Sequence, residues 1–158
     1  MLGARYSFRG SVGTWCTVAL CALTVVFAYA RPANEPTIAE LKARLASTRV
    51  GERPHLCVQI AQKRLEEVDK LYAAAEIEKG QAALGDVVTY SELARDYAIQ
   101  SHKYQKQSEI AVRAMTRRLV ELMHTLGHDD QAPVADAVNR LERVRDDLLR
   151  AMFPKGAK

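Results

Sequence analysis

His124 and His128 stand four residues apart and are followed by Asp129 and Asp130. Two imidazoles at that spacing on one helix can share a metal ion. His102 is the third histidine that a ligand- or metal-binding bundle would draw on. Two features argue against a metal centre. Gly127 is a natural helix terminator, which would turn His128 away from His124. The residue after His124 is Thr125, where the zinc-protease pattern needs a glutamate. A histidine in a last helical turn is also favoured by the helix dipole without any further role.

His55 and Cys57 form the other reactive pair. A cysteine nucleophile needs a base within reach and an electropositive pocket. Residues two apart lie on different faces of a helix, so His55 cannot serve as that base. No Cys-x-x-Cys-His haem attachment occurs, and Met115, Met123 and Met152 read as core fillers. We therefore expect no catalytic set, no cofactor and no small-molecule substrate. Cys16 and Cys21 fall in the first thirty residues, which leaves Cys57 as the lone thiol of the rest. It reads either as a buried apolar residue or as the site of an intermolecular disulfide.

The element that positions most of these residues is the stretch 77–126. Counted in sevens, one seam row is Ile77, Leu84, Ser91, Ala98, Gln105, Val112, Leu119 and Leu126, and the second is Gly80, Val87, Ala94, Ser101, Ser108, Met115 and Leu122. A seam at three-four spacing buries one stripe of a helix. Proline is absent, and residues 100–109 contain no turn former. The pattern predicts one long central helix of about 75 Å, with a bend at the polar middle as the alternative. Gly80 and Gly85 read as points of close helix approach. The seam from Ala98 to Met115 is expected to stay exposed and to support self-association. Tyr104, Lys103, Lys106 and Gln105 are the expected contact residues, and Lys103, Lys106, Arg113 and Arg117 share a basic face.

Thr37 and Glu40 fit a capping box that opens a short helix ending near Ser47. Gly51 sits in a turn, and Pro54 suits the first turn of a helix running to about Ala74. A tight connection at Ala75 and Glu76 makes that helix and the start of the long stretch an antiparallel hairpin. Pro133 is expected to open the last helix, which reaches about Met152. The fold class is all-α: an elongated up-down bundle around a long central helix, or else a compact four-helix bundle. Residues 71–84, above all Ala75-Glu76-Ile77-Glu78-Lys79-Gly80, resemble the corner of a tetratricopeptide repeat. The resemblance covers one hairpin of roughly 34 residues. It implies hairpin geometry, a partner-binding surface, and Gly80 as the small residue between the helices. The repeat's closing proline is absent. The chain without its leader also resembles small exported bacterial helical proteins of unknown function.

The leader itself is residues 1–30. Arg5 and Arg9 precede an uncharged run, and Ala28-Tyr29-Ala30 supplies a small-x-small cleavage pattern. It reads as a signal peptide, with an uncleaved membrane anchor as the alternative. Both place the remainder outside the cytoplasm. Residues 31–36 form a linker, 37–153 the helical domain and 154–158 a loose tail. Without the leader, Lys plus Arg falls from 23 to 21 against 19 acidic residues. That balance gives no case for nucleic acid. The expected function is a non-enzymatic extracytoplasmic interaction or scaffold protein with a protein partner or self-association. A ligand- or metal-binding bundle of the cell envelope is the alternative.

Overall fold

The computed structural model describes residues 35–154. The leader, most of the linker and residues 155–158 lie outside the described residues. Five α-helices carry the described chain: α1 (Ile38–Ser47), α2 (Arg53–Ala73), α3 (Ile77–Ser101), α4 (Gln105–Met123) and α5 (His128–Met152), with a 3-10 turn (Val50–Glu52) between α1 and α2. Among the described residues no helix is long and apolar enough to cross a membrane.

Local chemistry accounts for the first elements. Thr37 and Glu40 form the reciprocal capping box: Glu40 N–H donates to Thr37 Oγ1 at 3.2 Å and Thr37 N–H to Glu40 Oε2 at 2.7 Å. Pro54 sits in the first turn of α2, where its missing N–H costs nothing. α2 ends in a Schellman arrangement. Glu76 N–H donates to the Leu71 carbonyl at 2.9 Å, Ala75 N–H donates to that of Tyr72 at 3.0 Å, and Ala75 takes the left-handed conformation at φ 57°. The chain then reverses into α3. Gly80 is buried there, and a Cβ on it would come within 3.0 Å of two Tyr72 ring carbons. Gly85 does not share this role: a Cβ there would meet nothing within 4 Å.

The expected single helix across 77–126 breaks at residues 102–104, so the long central helix is not formed. α3 stops at Ser101, the chain turns through His102, Lys103 and Tyr104, and α4 starts at Gln105. The compact bundle is the architecture adopted, built from two helical hairpins, α2–α3 and α4–α5. The second hairpin stacks on the first in the same sense. Tyr104 reaches Glu52, and Arg118 reaches Asp69, so α4 runs parallel to α2. Arg140 reaches Glu92, and Arg95 reaches Asp147, so α5 runs parallel to α3. α1 covers the far side of α2.

The reason for the break is burial. Ala98, Val112, Leu119, Val134, Leu141 and Leu148 are each fully enclosed in one cluster with Val68 and Val87. A straight helix would leave its second half bare of these partners. Bringing about six apolar side chains out of water offsets the cost of one strained corner, at roughly 1.5–3 kcal/mol for each fully buried side chain. The seam expected to be exposed is therefore in the core: Ala98 and Val112 are 0% exposed and Met115 is 2% exposed. The last helix also starts earlier than Pro133. Gly127 caps it, Asp129 and Asp130 occupy its first turn, and Pro133 lies inside it. Carboxylates near the positive end of the helix dipole favour that earlier start.

Candidate functional site

The residues singled out by sequence fall at two ends of α4. His102, Lys103, Tyr104, Gln105 and Lys106 cluster at its start, and His124 and His128 lie beyond its end. Nineteen helical residues separate the ends by about 28 Å. His102 therefore cannot share a ligand with His124 or His128. Those two are also not four apart on one helix. His124 caps α4, and His128 opens α5. Among the described residues no group of three or more His, Cys, Asp or Glu side chains is placed to hold a metal ion.

At the start of α4 the corner has a defined geometry. His102 and Tyr104 both adopt left-handed backbone, at φ 55° and 60°. Neither is glycine, and for an L-residue that conformation costs roughly 1–2 kcal/mol. Side chains from another element hold the corner. The Tyr104 hydroxyl donates to Glu52 Oε2 at 2.7 Å, and its ring stacks on His55 with centroids 5.7 Å apart. The bond to the Glu52 carboxylate raises the Tyr104 pKa above the ordinary phenol value. Lys103 lies along Gly51, where a Cβ would meet its side chain at 3.2 Å. Tyr104, expected to face a partner, is thus engaged within the chain. Gln105 is half-buried, and its amide nitrogen is enclosed without a hydrogen-bond partner.

Behind the corner, the seam's polar middle is buried rather than solvated. Ser108 is 1% exposed. Glu109 is also buried, and its carboxylate accepts from Arg145 Nε at 3.2 Å, with Arg113 Nε 3.7 Å away. A buried carboxylate needs such pairing to remain charged. Arg113 is the ordinary partner one turn along the same helix. Arg145, which is thirty-six residues away, could be found only by folding α5 back onto α4.

Cys57 lies on α2, two residues after His55. It is fully buried with Val58, Ala94 and Ala111. Burial pushes its thiol up to about 12, partly opposed by the nearby Arg53 charge. The intermolecular disulfide is out of reach while α2 stays packed, because the sulfur meets no solvent and the thiol stays protonated at neutral pH.

The outer face of α4 is left outside the bundle. Lys106, Ile110, Arg113 and Arg117 are exposed along it, and Ile110 keeps 45% of its surface in water. A second surface feature is a groove of about 180 Å³ between α3 and α5, floored by Leu84, Gly85, Val88 and Ala137 and rimmed by Asp136 and Arg140. That is smaller than a typical small-molecule pocket of about 300–1,000 Å³. Comparisons with protein families, with curated proteins and with solved structures give no match for this chain.

Proposed function

We propose that the chain is a non-enzymatic helical interaction protein that acts outside the cytoplasm and binds a protein partner through the outer face of α4. The observation that carries this reading is the arrangement on that face: Ile110, an exposed large apolar residue, is set among Lys106, Arg113 and Arg117. An apolar centre with a charged rim is the usual composition of a contact patch. The basic rim complements an acidic partner surface and would steer its approach. The extracytoplasmic setting rests on the leader's charge and cleavage pattern. The separation of His102 from His124 and His128 weighs against the metal-binding alternative.

The test is a photo-crosslinking amino acid at Ile110 in living cells, with the exposed Ala82 on α3 as the control position. A recurrent protein adduct at Ile110 that is absent at Ala82 is expected. Identical adduct patterns at the two positions, or none at Ile110, would remove α4 as the binding face.

A further inference from the structure

We propose that two copies of this chain exchange their α4–α5 hairpins, giving a dimer in which residues 77–123 run as one continuous helix about 70 Å long. The sequence pattern and the fold conflict at the corner between α3 and α4. The seam rows run through residues 102–104 without a change of register, and no glycine or proline falls between residues 86 and 126. Yet the chain turns there through two non-glycine residues, His102 and Tyr104, in left-handed backbone. A short, strained connection between two units is the usual hinge of an exchanged dimer.

Straightening that hinge removes both left-handed residues and adds helical backbone bonds across the gap. The bundle loses little in return. The hairpin's partners lie on α2 and α3: Arg118 with Asp69, Arg140 with Glu92, and Arg95 with Asp147. Each can form equally with the same surface of a second copy, as can the apolar contacts of α4 and α5. Only the corner's own contacts are given up, namely the Tyr104–Glu52 bond, the His55 stack and the packing of Lys103 along Gly51. The remaining cost is association, so the exchanged form is favoured by concentration. The proposal is independent of what binds the outer face of α4.

The test uses the chain as the cell produces it, refolded from denaturant over a range of concentrations, with mass measured by light scattering. The expected dimer fraction rises with concentration. The pair His102→Gly, Tyr104→Gly accepts the corner without strain and weakens the dimer about tenfold or more. The pair His102→Ala, Tyr104→Ala penalises the corner, favours helix, and strengthens the dimer. Exchange is then read directly by co-refolding an Asp69→Cys copy with an Arg118→Cys copy, both carrying Cys57→Ala, and adding a short bis-maleimide. Links between the two copies, above those of either copy alone, are expected. Three results would overturn the proposal: a monomer throughout for the alanine pair, a dimer indifferent to both pairs, or a dimer without links between positions 69 and 118.

Discussion

The two corners on either side of α3 are alike in length, three residues each, yet they are built on different principles. The corner between α2 and α3 closes on its own backbone. Ala75 and Glu76 return their N–H groups to Tyr72 and Leu71, and the single left-handed residue is exposed and small. The corner between α3 and α4 has two left-handed residues and depends on a distant segment, through Tyr104 to Glu52 and Tyr104 on His55. The first corner is a local motif that forms wherever its helix ends. The second exists because the hairpin beyond it is docked. The lesson is that a tight turn between helices need not be encoded at the turn.

The largest test of that difference removes the docking rather than the corner. Leu141 is fully buried where α5 meets the core. Leu141→Ala should cost about 2–5 kcal/mol in chemical unfolding. Hydrogen exchange should then rise at residues 102–104 before it rises at residues 74–76. Equal rises at both corners would mean that the second is as self-sufficient as the first.

Cys57 reports on the packing of α1, α3 and α4 over α2. With its thiol pushed up to about 12, it binds a proton in the folded state that the unfolded chain releases near its ordinary value of 9.0. Its contribution to stability is therefore complete below about pH 9 and is lost as pH rises towards about 12. Cys57→Ala should flatten the alkaline limb of a melting-temperature profile. In the native state at pH 8, maleimide labelling of Cys57 should proceed only as fast as that packing opens. Immediate labelling would refute the buried placement.

At the first corner, Ala75→Gly should stabilise the protein by about 1 kcal/mol, because glycine accepts positive φ without the Cβ clash. The readout is a denaturation midpoint. A loss of stability would mean that Ala75 is held by something other than its local backbone. The smallest effect is expected from Tyr104→Phe, which keeps the ring on His55 and loses only the bond to Glu52. It should lower the midpoint by less than Ala75→Gly raises it, and it should accelerate Cys57 labelling. No change in labelling would show that the hydroxyl does not help to hold the second corner.

The sequence by itself determined the all-helical class, the capping box at Thr37 and Glu40, the span of α2 and the reversal at Ala75. Each follows from signals within a few residues: a cap, a proline in a first turn, an apolar period. The break at residues 102–104 had no such signal. A seven-residue apolar pattern is equally satisfied by one long helix and by two antiparallel halves, because in both Ala98, Val112 and Met115 can face one buried seam. Burial against residues far away in the chain chooses between them, and only the tertiary structure supplies those partners. The same holds for Glu109, whose paired state needs Arg145; for His124 and His128 the sequence already argues against a shared site, and the structure adds that Gly127 opens a helix instead of closing one. For this protein, local sequence marked the bounds of α1 and α2 and the start of α3, while the break at residues 102–104 was decided where the cost of a strained corner was set against the burial of an entire hairpin.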